Sequence, residues 1–142
     1  MKVLSVKQPW ALLLAEGRKD IENRTWTTNY RGKVLLHATA KPDSSVVMYR
    51  KNVKKPSWQE IQMFSALEEC EGKDLYGCII GEAEIVDCVQ NHSSCWAEKG
   101  VWNWVIKNPV LYPEPVRGIK GKLGLWEHRP ADSDSEIVNG DK

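Results

Sequence analysis

Long hydrophobic runs, paired cysteine motifs and phenylalanine are what this sequence has least of. Its longest aliphatic run, Ala11 to Ala15, is far below the ~18 residues of a membrane-spanning helix, so no helical span and no membrane partner are expected. Lys7, Gln8 and Pro9 interrupt the apolar core of about 7–15 residues that a secretory leader would need, which points to the cytoplasm or nucleus; of the two we expect the cytoplasm. The four cysteines, Cys70, Cys78, Cys88 and Cys95, contain no CxxC pair. Together with His92 their intervals fit no common zinc pattern, so they read as structural thiols, with no metal and no cofactor. A charge excess is also missing: 20 Lys and Arg face 19 Asp and Glu, a formal +1.

The charge is unevenly placed. Residues 130–142 hold Asp132, Asp134, Glu136 and Asp141 against Lys142 alone, a net of −3, which leaves +4 on residues 1–129. That final stretch lacks apolar periodicity and reads as a disordered acidic tail. The remaining 1–129 is the length of one domain, able to bury a core without disulfides. Seven tryptophans stand against one phenylalanine, and rings of this size either fill a core or line a pocket.

The local patterns alternate strands with short helices. Lys2 to Lys7 reads as a half-buried strand. Pro9 through Ala15, with Gly17 just beyond, carries the punctuation of a short helix. Asp20 to Thr27 reads as a strand that puts Glu22, Arg24 and Trp26 on one face. Lys33 to Ala38 is a third strand, ending at His37-Ala38. Residues 39–56 look irregular or weakly helical and end in the basic cluster Arg50, Lys51, Lys54 and Lys55, an extension of an RNA track or a solvated loop. Ser57 to Glu60 matches a capping box, and the helix behind it is expected to bury Trp58, Ile61, Phe64 and Leu67. Tyr76 to Val89 is long for one strand, and Gly77 and Gly81 suggest bends. Val101–Lys107 and Leu123–His128 add strands, with Pro109, Pro113 and Pro115 confining what lies between to an edge or extended loop. The whole reads as an α+β domain, a small closed or partly open β-barrel.

Chemistry concentrates in Gly17-Arg18-Lys19-Asp20-Ile21-Glu22-Asn23-Arg24, which is either a surface ion-pair ladder or one wall of a cleft. Ser5-Val6-Lys7-Gln8-Pro9-Trp10-Ala11, the GxKxxExR pattern at Gly17, Lys19, Glu22 and Arg24, and Tyr30-Arg31-Gly32 leading into Leu36-His37-Ala38 resemble the ASCH domain family. Trp96, Trp102-Asn103-Trp104-Val105 and the stretch from Pro115 to Trp126 agree with the family's closing strands, so the resemblance runs in order from about residue 2 to 128. It implies a PUA-like β-barrel with short helices packed at its ends, spanning 1–129, that binds RNA or a modified nucleoside in a cleft beside GxKxxExR.

The residues fit that cleft chemically. Lys7, Lys19 and Arg24 attract phosphate, Gln8 and Asn103 offer paired donors and acceptors to a base edge, and Trp10, Trp102 or Trp104 supply stacking. Ser5, Glu22 and His37 complete the expected binding set. One branch of the family hydrolyses the amide of N4-acetylcytidine with a Lys, a Thr and a Glu. Its Lys falls on Lys19, its Thr position is Glu22 here, and the nearest match to its Glu is Glu98. A catalytic version of this site would have Glu22 activate water and Lys19 stabilise the oxyanion. The resemblance leaves two further roles open: ribonuclease activity, described for some members, and protein interaction of the coactivator type. A monomer is expected.

Overall fold

The computed structural model describes residues 1–129; the acidic segment 130–142 lies outside the described residues. The chain runs β1 (Lys2–Val6), α1 (Trp10–Ala15), β2 (Ile21–Arg24), β3 (Gly32–Ala38), α2 (Ser44–Arg50), α3 (Trp58–Lys73), β4 (Cys78–Val89), β5 (Trp102–Val116) and β6 (Leu125–Glu127). The strands form one sheet in the order β2-β5-β4-β3-β1-β6, curled into a half-barrel. This is the partly open form of the expected α+β barrel. β1 runs parallel to β3 and antiparallel to β6.

α1 sets the inner layer. Ala11 to Ala15 are all buried, as befits a helix that is apolar on every side, and it packs on β3, β4, β5 and α3. So short a helix does not hold itself together. Gln8 anchors it: its buried side chain accepts from the Leu12 amide at 2.9 Å and donates to the Leu75 carbonyl at 2.9 Å. Gly17, at φ 75°, then turns the chain toward β2, and a Cβ there would lie 3.1 Å from Pro109 Cγ.

Three expectations are corrected by packing. β1 is buried on both faces rather than one, because Leu4 and Val6 join the main core while Val3 packs with Ile79, Ile119 and Trp126. Residues 39–56 contain a defined helix, α2, whose start is capped by Asp43 accepting from the Ser45 amide. The start of α3 agrees with its capping box, but its buried face is Ala66, Leu67 and Cys70, with Met63 packed alongside. Strict three-residue spacing falls short of a 3.6-residue turn, so Trp58 and Leu67 lie about 180° apart around the helix. Trp58 and Ile61 are consequently exposed.

β4 is a single strand whose pairing with β5 shifts register after Ile79, Glu82 and Ile85. Gly81 permits one of these crossings, since a Cβ there would lie 2.2 Å from the Val110 carbonyl oxygen. In β5, Asn103–Val105 are paired with both β2 and β4, whereas the residues after Ile106 pair with β4 alone. That free edge is where Pro109, Pro113 and Pro115 are tolerated.

Candidate functional site

Lys19, at the entry to β2, is fixed through its backbone amide to the Leu13 carbonyl at 3.1 Å. Glu22 and Arg24 follow on one face of β2, as the two-residue strand repeat requires. The three side chains form a ladder. Lys19 Nζ lies 3.5 Å from Glu22 Oε1, and Arg24 Nη2 lies 2.8 Å from Glu22 Oε2. Arg24 also donates from Nη2 to the Ser5 carbonyl at 2.7 Å, bridging β2 and β1 across the open side of the half-barrel. Behind the guanidinium stand Trp26 and Trp104, their rings edge to face at 4.6 Å.

This ladder forms the floor of a cavity of about 500 Å³, within the range of small-molecule sites. Trp10 and Trp96 wall it, 6.5 Å apart between centroids. Trp10 donates its indole N–H to Asp43 at 3.0 Å, and its ring lies 5.0 Å from Lys19 Nζ. Burial holds the Lys19 ammonium below its ordinary value of 10.5, against the opposing pull of the Glu22 and Glu98 carboxylates. Burial pushes the Asp43 carboxyl up, but hydrogen bonds from Ser45 and Trp10 outweigh it and keep Asp43 below the usual carboxylate value. The charged lining residues are Lys7, Lys19 and Arg24 against Glu22, Asp43 and Glu98. The cavity is therefore formally neutral, and it suits a polar uncharged group better than a phosphate.

Of the residues expected from sequence, Ser5, Lys7, Trp10, Lys19, Glu22 and Arg24 meet at this cavity. Ser5 is already engaged, donating from its hydroxyl to the Lys122 carbonyl and accepting from the Trp126 indole. Five others, Gln8, His37, Trp102, Asn103 and Trp104, do not line it, Trp102 being half-buried against the core. Gln8 is wholly buried and spends both ends of its amide on α1 and Leu75. Trp104 is also wholly buried, with its indole N–H donated to the Trp26 carbonyl; it backs Arg24 and offers no face for stacking. His37 is buried under the 117–124 segment, its Nε2 on the Ile119 carbonyl at 3.1 Å, and burial holds its imidazole below the ordinary value of 6.5. Asn103 is likewise wholly buried, its side chain donating to Asn23 and the Glu98 carbonyl and accepting from the His92 amide.

Among the lining residues that sequence reasoning missed are Asn23, Thr39, Asp43, Gln59, Met63 and Trp96. Asp43-Ser44-Ser45 carries an N-cap signal that locates Asp43; Trp96 and Thr39 have no comparable local signal. Glu98, proposed from sequence only by its place after the long strand, lies in the cavity wall. Among the described residues no cluster of His, Cys, Asp and Glu is disposed for a metal ion. Cys70 and Cys78 are buried, and burial pushes the Cys70 thiol up to about 12.

A model of the ASCH domain matches residues 4–115. The chain is 37% identical to activating signal cointegrator 1 of Homo sapiens and 34% identical to the Mus musculus protein of that name. Both alignments take in 98% of this chain and 23% of the relative, so the chain spans about a quarter of the length of those curated relatives.

Proposed function

The chain belongs to the ASCH domain family, and from that premise we propose that it binds nucleic acid, RNA above all, by receiving one nucleobase or modified nucleoside in the cavity beside GxKxxExR. The observation that carries this reading is the cavity's composition. Indole walls and a floor of balanced charges suit a planar, polar, uncharged ring, while Lys7 is exposed at the lining and available to a phosphate. The test is the affinity for a short labelled single-stranded RNA as salt is raised. Binding should weaken with salt, and Lys7→Gln, which removes an exposed charge and spares the core, should weaken it several-fold. Affinity that ignores both salt and Lys7→Gln, and that persists in Arg24→Ala, rejects the reading.

A second reading is amide hydrolysis of a nucleoside such as N4-acetylcytidine. It is favoured by one arrangement: Lys19, Glu22 and Glu98 border the same cavity. Glu22 would take a proton from water as the hydroxide adds to the acetyl carbonyl, Lys19 would stabilise the oxyanion, and as the C–N bond of the tetrahedral adduct breaks Glu22 would return that proton to the departing amine, leaving acetic acid that ionises to acetate. Against it, both Glu22 oxygens already accept from cations. Conversion of N4-acetylcytidine to cytidine, lost in Lys19→Ala, would decide for hydrolysis. The cointegrator name of the relatives fits a third role, protein interaction, in which partner binding would survive every cavity substitution.

A further inference from the structure

A cavity that takes one base leaves that base's neighbours outside, and one side of its mouth has the features to hold them. α3 starts there. Gln59, its second residue, lines the cavity and donates from Nε2 to the Cys95 carbonyl at 2.9 Å, fastening the helix start to the loop that carries Trp96. The Trp58 ring consequently lies 6.4 Å from that of Trp96, which in turn lies 6.5 Å from Trp10. Three indoles thus lead from the cavity to the surface. Trp96 is 6% exposed, whereas Trp58 is 61% exposed. The helix start does not require that indole, since Ser57 and Glu60 already cap it reciprocally.

The chain entering Trp58 is Lys51-Asn52-Val53-Lys54-Lys55-Pro56-Ser57, three cations without a carboxylate. All three lysines are exposed, and among the described residues none is in an ion pair, in contrast to Arg50, which meets Glu71 at 3.3 Å. Lys55 is three residues from Trp58, at most about 11 Å away. The nearest acid in sequence, Glu60, already accepts from the Ser57 amide and the Tyr49 hydroxyl. Free cations beside an open aromatic face are the two components of a single-strand track, and the cavity's own cations are balanced.

We propose that Trp58, with Lys51, Lys54 and Lys55, forms a second subsite that stacks the nucleotide next to the one in the cavity and holds its phosphates, so that the ligand is a single strand rather than a free nucleoside. The proposal rests on the nucleobase reading of the cavity. Its test compares the unaltered protein with Trp58→Ala, Trp58→Phe, Lys7→Gln and the combined Lys51→Gln, Lys54→Gln, Lys55→Gln variant, using fluorescence anisotropy of a short labelled single-stranded RNA of mixed sequence. Trp58→Ala should weaken binding about 5- to 100-fold, and Trp58→Phe should recover most of the loss. The lysine variant should flatten the slope of log affinity against log salt by about 2. RNA affinity untouched by Trp58→Ala but reduced by Lys7→Gln overturns the second subsite and leaves the cavity reading standing; the exposed Trp58 and Ile61 would then be a protein-facing surface. Equal losses for Trp58→Ala and Trp58→Phe overturn the stacking role. Absence of RNA binding by the unaltered protein overturns both readings together.

Discussion

The cavity floor and the start of α3 pair the same two residue types and use them oppositely. On the floor, Lys19 lies against Trp10 with its charge matched by Glu22, and its side chain is only 5% exposed. At the α3 start, the exposed Lys51, Lys54 and Lys55 precede an open Trp58 in the chain with no carboxylate between them. The floor has spent its electrostatic capacity on its own architecture, and the rim has kept its capacity free. The family motif thus sits where shape is determined, and the capacity to attract a polyanion sits outside it.

Substitutions at the two places should therefore separate stability from affinity. The largest effect is expected from Glu22→Leu, which strands two cations in a buried setting. Loss of one partner from a buried pair costs about 3–5 kcal/mol, read as a fall in the urea midpoint. Gln8→Ala removes two buried hydrogen bonds and leaves the Leu75 carbonyl unpaired, so a loss of about 1–3 kcal/mol is expected, with RNA affinity per folded molecule unchanged. A drop in affinity without a drop in stability would return Gln8 to the binding surface.

Acidification should give a graded loss through His37. Its imidazole is held below 6.5 in the folded chain by burial, and among the described residues its Nδ1 has no hydrogen-bond partner, so the unfolded chain takes up the proton first. Stability is complete above pH 6.5 and falls as pH drops below it, by about 1.4 kcal/mol per pH unit until the folded protein also protonates. Urea titrations in His37→Gln should lack that component of the slope. The smallest effect is reserved for Trp58→Ala, which should move stability by no more than about 0.5 kcal/mol. A larger destabilisation would mean that Trp58 belongs to the fold and would erase the contrast between floor and rim.

Much of the architecture was legible because local chemistry and tertiary packing agreed. The α3 capping box, the Gly17 turn and the prolines of the β5 edge are each dictated within a few residues. The GxKxxExR ladder was legible for a similar reason: Glu22 and Arg24 are two apart on a strand and must share a face. The failures lie where burial alone decides. Gln8 offers the same donor and acceptor whether it faces a base or the end of a helix, and only the fold shows that Leu12 and Leu75 have taken both. Trp104 and Trp10 are equivalent as letters; one sits between strands and the other beside a cavity. The α3 face was misassigned because a three-residue repeat slips around a 3.6-residue helix, and that slip is what turns Trp58 outward.

The bridge from Arg24 to the Ser5 carbonyl has a mechanical consequence. β2 and β6 are the two ends of the sheet, and the cavity lies over the gap between them, lined by Arg24 from one side and by Ser5 and Gly124 from the other. An occupant touching both sides would act as a missing stave, joining edges that the backbone leaves apart. Ligand would then be read out as slowed amide hydrogen exchange along β2 and at Ser5, whose amide donates to the Gly124 carbonyl at 2.9 Å. Such slowing would be felt on both sides of the gap at once, because the Arg24 guanidinium already links β2 to β1, the strand next to β6.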